Sequence, residues 1–531
     1  MASIEPPSAQ QPGASPNGCS IKNLPDDILT NIFHAFLLTR RPAPDVTSSI
    51  SVVPERQPSL ILSHVCSEWR SLALKTPSLW NVIEVVVPRW FFYYTPEIRE
   101  KAHWLRFNHI DDPYIRADVL EEKLEVQRLI EGAMQGWQEE MRRLRESLRA
   151  WLERARAVPL EVRVVWTELA GDAPEEVHQE TRHLLYFIFS TSARWGSLEL
   201  RIRFPRLFSI YGEVLQRIFG MQGSEVPQLK RLEVDFDTDR MPGALENIPT
   251  TLFSAPNLRS LSFPTAWPSL ASLQDIRWDQ LTYLSVGHWG IYTDSVDTGP
   301  DSPRFQSRQV LELLRPCSSV VQVDLTLDCA QEVFHWSGAR WRERALASIH
   351  GRGVVEPVYL PHLRSLTLLG LPPAPDIALY INAPSLTSLM LLPSQGFWLE
   401  SENQHCVISW IERYGHQLKR VGFDYGAVTQ DGLTTCLERL KNVEELEVRY
   451  EMNVTGHEAL ELHYTPARLD DRVFELLTTP ASFPGTQEYL LPRLRTLFCD
   501  VQDREGPSDR ALIRFIAARR NIESQRVWER L

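Results

Sequence analysis

Cysteine is scarce and scattered in this chain: Cys19, Cys66, Cys317, Cys329, Cys406, Cys436 and Cys499 are an odd set spread over 531 residues. No Cys-x-x-Cys pair and no Cys/His cluster has metal-ligand spacing, which argues against a zinc site and against a disulfide framework. Long apolar runs are missing too, since no window approaches the about 18 residues a membrane span needs. Positive charge is in deficit, with 56 Lys and Arg against 68 Asp and Glu, a formal net charge of −12 and a pI near 5.7. That balance disfavours non-specific binding to nucleic acid or to an anionic membrane surface, both of which need concentrated Lys and Arg. Met1–Ser20 is rich in Pro, Ser, Gln and Gly and lacks an apolar segment, so residues 1–20 are expected to be a disordered tail without a secretory leader. In that setting Asn453-Val454-Thr455 is a chance glycosylation match, and the expected location is cytoplasmic and/or nuclear.

Catalytic signatures are absent as well. There is no Gly-x-Ser-x-Gly elbow, no phosphate-binding Gly-x4-Gly-Lys-Ser/Thr loop and no His-Glu-x-x-His. The 14 histidines are dispersed. No enzyme activity, cofactor or metal is expected. What the chain does have is 43% hydrophobic and 23% charged residues, the composition of a folded protein.

The most informative residues lie near the N-terminus. Pro25 pre-sets φ for a first helical turn, where its missing N–H costs nothing, and Asp26 and Asp27 face the positive end of the helix dipole. Ile28, Leu29, Ile32, Phe33 and Phe36 then recur at helical spacing. Farther on, Leu62, Val65, Cys66, Trp69, Leu72 and Ala73 fall three and four residues apart, as one apolar helix face running to Thr76-Pro77 and Leu79-Trp80. On that face Cys66 is expected to pack, not to react. The ordered set Leu24-Pro25, the Ile/Leu/Ile/Phe stripe, Cys-x-x-Trp-Arg and Leu-Trp resembles an F-box, over roughly residues 21–80. It departs from that pattern by a Pro-punctuated insertion at about Leu38–Pro58, with Pro42, Pro44, Pro54 and Pro58. The resemblance implies that Leu24, Pro25, Ile28, Leu29, Ile32, Phe33, Val65, Cys66, Trp69, Leu72, Leu79 and Trp80 contact a Skp-type adaptor. A module this small buries little surface by itself, so its apolar stripes need cover from a partner or from the adjoining domain.

Beyond it, Val82–Val87 reads as an apolar strand closed by Pro88, and Trp90 to Tyr94 as an aromatic run without interleaved basic residues, hence packing. A long helical stretch spans about Ile115–Ala157. In it Ile130, Met134, Trp137, Met141, Leu144, Leu148 and Trp151 form a heptad seam, expected to lie along its own domain.

A unit of the form Pro-x-Leu-Arg/Lys-x-Leu-x-Val/Leu/Phe then recurs. It starts at Pro227, Pro256, Pro361, Pro384 and Pro492, with weaker copies at Leu281, Val320, Leu418 and Val443. Glu161–Trp166 and Leu198–Phe204 look like divergent first copies. The intervals between first leucines, such as 229 to 258 or 363 to 386, fall in the range of about 20–30 residues typical of leucine-rich repeats. Arg308–Leu314, Val407–Tyr414, Asp431–Leu440 and Asp470–Leu477 have the stripe of return helices. No Gly-x-Gly-x-x-Gly follows a strand, which disfavours a doubly wound nucleotide-binding sheet.

The expected fold is therefore α/β. Residues 21–80 form an F-box-like helical domain with an inserted loop at 38–58. Residues 81–531 form an irregular leucine-rich-repeat solenoid, with a parallel sheet on its concave face and the helical insertion 115–157. The layout looks like the substrate receptors of Skp–cullin–F-box ubiquitin ligases, particularly those of basidiomycete fungi. The resemblance implies an adaptor, and through it a cullin-RING ligase, at one end, with a protein substrate of unknown identity at the other. The alternative is a leucine-rich scaffold unconnected to ubiquitination. On the open sheet face, alternation points Glu161 and Arg163, Glu199, Arg201 and Arg203, Glu233, Asp235 and Asp237 outward, then Ser262, Ser285, Asp324, Thr367, Met390, Glu447 and Arg449. From these, Arg163, Arg201, Arg203, Glu233, Asp235, Asp324 and Glu447 are the candidate substrate-binding residues, able to suit a basic segment or, through the arginines, a phosphorylated one.

Overall fold

The computed structural model describes residues 24–39, 58–90, 95, 96, 98, 100, 101, 117–167, 173–203, 208–236, 249–263, 276–287, 307–327, 356–370, 377–392, 404–449, 467–483, 486–499 and 506–530. The tail 1–20, nearly all of the insertion 38–58, the aromatic run past Trp90, and Asp237 lie outside the described residues.

Three helices open the chain: α1 (Asp26–Thr39), α2 (Pro58–Val65) and α3 (Ser67–Lys75), followed by a 3-10 turn at Pro77–Leu79. The Leu29 amide donates to the Pro25 carbonyl at 3.0 Å, closing the first turn of α1 where proline is harmless. The second apolar stripe is not one helix. Cys66 is extended (φ −156°, ψ 173°), and its Sγ accepts the Trp69 amide at 3.4 Å, so it caps α3 instead of sitting on a helix face. This break lets α2 and α3 pack on α1 separately; the Phe33 and Trp69 rings lie 4.9 Å apart.

The helical unit is sealed onto the rest of the chain. Trp80 is fully buried, donates its indole N–H to the Ala73 carbonyl at 2.8 Å and meets the edge of Trp151 at 4.8 Å. The Arg154 guanidinium covers its ring at 4.5 Å. Phe33, Leu79 and Trp80 thus belong to the same continuous apolar core as the strands and helices beyond them.

The sheet begins at β1 (Val82–Val86), and α4 (Ala117–Ala155) returns beneath it to β2 (Leu160–Thr167). Helix α4 spans 39 residues. The indole N–H of Trp137 donates to the Pro88 carbonyl, past one end of β1, while Trp151 meets Trp80 at the other, so α4 runs antiparallel to the strand. Trp137, Met141, Leu144, Leu148 and Trp151 are buried within the chain, so the heptad seam serves the domain itself.

Alternation of helix and strand then continues through α5 (Glu175–Phe189), β3 (Trp195–Arg203), α6 (Phe208–Phe219), β4 (Arg231–Phe236), β5 (Ser260–Phe263) and β6 (Tyr283–Val286). After these come α7 (Ser307–Leu314), β7 (Gln322–Leu327), β8 (Val358–Tyr359), β9 (Ser365–Gly370), α8 (Ile377–Tyr380), β10 (Ile381–Asn382) and β11 (Ser388–Leu392). The rest are α9 (Gln404–Tyr414), β12 (Arg420–Asp424), α10 (Gln430–Arg439), β13 (Glu445–Arg449), α11 (Asp471–Thr478), β14 (Pro480–Phe483), β15 (Thr486–Tyr489), β16 (Thr496–Cys499) and α12 (Asp509–Arg530).

Among the described residues one 12-stranded sheet dominates, in the order β1-β2-β3-β4-β5-β6-β7-β9-β11-β12-β13-β16, with every neighbouring pair parallel. Strands β8 and β10 form a small parallel pair, and β14 and β15 an antiparallel one. The chain is thus α/β with a large parallel sheet laid down in sequence order.

Each Pro-x-Leu copy builds the same junction. Its first apolar residue is fully buried, at Leu229, Leu258, Leu281, Val320, Leu363, Leu386, Leu418 and Val443. At Leu229, Leu258, Leu281, Leu363 and Leu386 the amide closes a turn onto the residue three before it. The carbonyl of the next residue then accepts two successive amides from the next copy: Lys230 from Arg259 and Ser260, Arg259 from Thr282 and Tyr283, and so on to Glu444, which takes Arg495 and Thr496. Side chains tie the turns together, as Asn257 donates to the Pro227 carbonyl and Ser385 to that of Pro361, both at 2.7 Å. Behind the strands run buried rows such as Leu198, Leu232, Leu261, Leu284, Val323, Leu366 and Leu389, each side chain contributing roughly 1.5–3 kcal/mol.

The C-terminal end is held by one guanidinium. Arg519 of α12 donates to the carbonyls of Leu491 (2.7 Å), Leu490 (2.8 Å) and Leu477 (3.1 Å), where Leu491 has a positive φ of 53°. Replacing it by methionine leaves those carbonyls without the charged donor. Arg519→Met is expected to cost about 2–3 kcal/mol locally, read as faster hydrogen exchange in α11 and α12 with β4–β9 unchanged; unchanged protection in α11 and α12 would refute the role.

Candidate functional site

Two surfaces carry the residues singled out by sequence. The first is the N-terminal helical unit. Leu29, Phe33, Leu79 and Trp80 are buried within the chain, Phe33 and Trp80 completely. They are core, not contact surface: successive residues on α1 are turned about 100° from one another, so Ile28 and Leu29 divide between solvent and interior. Ile28 is 42% exposed, Ile32 39% and Val65 57%. Leu24, Cys66, Trp69 and Leu72 are half-buried, and Pro25 is exposed. Leu74 of α3, which the sequence pattern did not single out, is also exposed. The unit therefore buries one apolar ridge against its own chain and leaves a second, Ile28 and Ile32 one turn apart on α1, facing outward.

The second surface is the sheet face opposite the helices. Register lines up one row across all twelve strands: Glu84, Arg163, Glu199, Glu233, Ser262, Ser285, Asp324, Thr367, Met390, Gly422, Glu447 and Phe498. The alternation rule placed most of these; Glu84, Gly422 and Phe498 escaped it because only the register of β1, β12 and β16 brings them into line. A side chain at 422 would collide with the Met390 thioether, which lies over that position.

The charged members are paired with each other. Arg163 donates to Glu199 at 2.7 Å and lies 3.6 Å from Glu84, while Arg201 reaches the other Glu199 oxygen at 2.7 Å. Burial works against the Arg163 charge, but the carboxylates of Glu199 and Glu84 outweigh it and raise its pKa. Glu233 is bound by Arg231 at 2.8 Å, and Glu447 by Arg449. Asp235 lies opposite Arg201 in the register, and Arg203 opposite Thr167. Asp324 is buried; Gln322 donates to it at 3.0 Å and Tyr283 hydrogen-bonds it. Burial first, and Asp324 second, push the Tyr283 hydroxyl well above the usual phenol range, so it remains a neutral donor.

Pairing changes what the face can do. The structure brings Arg163 and Arg201 together, but onto one buried carboxylate, Glu199, which engages Nε of each. Arg231, Tyr283 and Gln322, neighbours of the row, complete the network; single-strand alternation gives no sign of these cross-strand partners.

Elsewhere the chemistry is quiet. The thiols of Cys317 and Cys436 are each pushed up to about 12 by burial, which keeps them protonated at neutral pH. Among the described residues no group of three or more His, Cys, Asp or Glu is placed to hold a metal ion, and no helix is long and apolar enough to cross a membrane. No family model and no curated protein matches the chain.

Replacing Glu199 by leucine strands two arginines at the sheet surface. A loss of about 1–3 kcal/mol is expected, below the usual figure for a broken buried pair because Arg163 keeps a third of its exposure. Adding Arg163→Met should return part of that loss in denaturant titrations; a strictly additive double variant would show the pair is not coupled.

Proposed function

We propose that this protein is a substrate receptor of a Skp–cullin–F-box ubiquitin ligase, in which residues 24–80 act as an F-box and the parallel sheet is that of a leucine-rich-repeat solenoid. The observation that carries the first half is the divided ridge on α1: Leu29 and Phe33 anchor the unit to its own chain while Ile28 and Ile32 stay exposed, with Val65 exposed at the end of α2. A soluble surface keeps two isoleucines on one outward helical stripe at a cost, and an adaptor helix packed across them removes it. The second half rests on strand order. A parallel sheet built in sequence order, from copies of one signature, supports a solenoid whose open face receives a client.

In this reading the chain does no covalent chemistry. It raises the concentration of a bound client near a ligase's activated ubiquitin. The client meets a face most of whose charges are paired, so recognition would rest on shape and on hydrogen bonding to the paired network more than on net charge. Cytoplasmic or nuclear residence belongs to the same proposal.

Co-expression with a Skp-type adaptor followed by size-exclusion chromatography tests it. Ile28→Glu, Ile32→Glu and Val65→Glu together should abolish co-elution while leaving the thermal unfolding midpoint within a few degrees, because all three side chains are substantially exposed. Phe33→Ala, by contrast, should destabilise the unit by about 3–5 kcal/mol. Co-elution of the folded triple variant would overturn the F-box assignment. A wild-type chain that never co-elutes would favour a repeat scaffold capped by its N-terminal helices.

A further inference from the structure

The sheet begins abruptly. Strand β1 is its first member and, among the described residues, pairs only with β2. Glu161 donates to the Asn81 carbonyl at 2.8 Å and Val87 to the Val165 carbonyl at 2.9 Å, which sets the parity of the strand. In a parallel ladder the N–H and C=O of one residue point to the same side. Residues 81, 83, 85 and 87 therefore face β2, and the backbone groups of Val82, Glu84 and Val86 face away from the sheet. Among the described residues none of those outward groups has a hydrogen-bond partner.

A pocket adjoins this edge. Val82 to Val85 form one wall and Leu144, Ser147, Leu148 and Trp151 of α4 the other of a narrow cleft that opens to solvent, with a cavity of about 10 Å³. The pocket is apolar apart from Ser147 and Glu84, and the Glu84 carboxylate is turned to Arg163. Trp151 is 6% exposed, and its indole N–H is buried without an acceptor. A buried donor left unpaired costs about 1–3 kcal/mol. Its ring is already fixed edge-on against Trp80, so the N–H is held in place instead of being free to turn to water.

We infer that the β1 edge is a binding site for an extended segment of another polypeptide, which adds a thirteenth strand and sets an acceptor-bearing side chain, an Asn, Gln, Asp or Glu, on the Trp151 indole N–H. The occupant follows from the groups on offer. A row of alternating unpaired N–H and C=O groups is complementary to an extended backbone, since a helix has no free groups to give it. The side chains of such a strand alternate, so one set falls over Leu144, Leu148 and Trp151 and the other beside Val82, Glu84 and Val86. The site is separate from the exposed α1 stripe, meets the open sheet face at Glu84, and stands whether or not the chain serves a ligase.

A test uses the full-length protein and an array of capped peptides with an alternating Thr/Val background and one varied central residue. Peptides N-methylated at every second amide distinguish edge pairing from any other contact. Methylation of one parity should weaken binding about tenfold or more, and the other parity should have little effect. Asn or Gln at the centre should be preferred to Leu in the wild-type chain, and Trp151→Phe, which keeps an aromatic ring, should erase that preference. Glu84→Pro removes an outward N–H without touching the bonds to β2 and should abolish binding; proline is tolerated on edge strands, and circular dichroism checks the fold. Equal tolerance of both methylation parities overturns the inference, as does a side-chain preference that survives in Trp151→Phe. Absence of binding to every peptide at about 1 mM, an affinity near −4 kcal/mol, overturns it too.

Discussion

Most strands of the large sheet bury one apolar side, and the backbone of each has no partner until the next copy lies beside it. Stacking is therefore the constraint on which all the rest depends. From β4 onward it is enforced by a buried Leu or Val at most turns, by a carbonyl that accepts two amides of the next copy, and often by a side chain reaching back to the previous turn. Helices between strands differ in length from the four residues of α8 to the 39 of α4. Variation is confined to where it does not disturb the ladder.

An array of this kind has two ends, and they are finished differently. At the C-terminal end Arg519 satisfies three carbonyls and α12 packs Phe515 edge-on against Phe474 at 5.5 Å. At the N-terminal end the three-helix unit closes the core through Trp80, Trp151 and Arg154, while the outer backbone of β1 is left unpaired among the described residues. A parallel sheet edge with an apolar pocket beside it is unusual to leave in water, because it templates strand addition. The same unit also presents its isoleucine stripe, so the unpaired strand edge and the exposed isoleucines lie at one end of the chain.

The open face shows why single-strand reasoning is a weak guide to a binding surface. Arg163, Arg201, Glu233 and Glu447 each point outward as alternation requires, yet each is engaged by an opposite charge on its own or the adjacent strand. Glu199 and Asp324, which a strand in isolation would leave in water, are more than nine-tenths buried because neighbours crowd them from both sides. Cross-strand pairs, not individual residues, set the character of this surface.

Periodicity alone was enough to locate most of the elements. The Pro-x-Leu signature marked β4, β5, β9, β11 and β16, the weaker copies marked β6, β7, β12 and β13, and the helical stripes marked α7, α9, α10 and α11, because burial on one side leaves a period of two or 3.6 in the residues themselves. The amphipathic stripe over Leu62–Ala73 was equally visible, but the break at Cys66 was not, since a capping residue can sit in step with a helical pattern. Which of Ile28, Leu29, Ile32 and Phe33 would be inside, which carboxylate would hold which arginine, and which strand would be left without a neighbour were decided only in three dimensions. Those outcomes depend on what lies opposite, and a linear pattern records the period of contact without recording its partner.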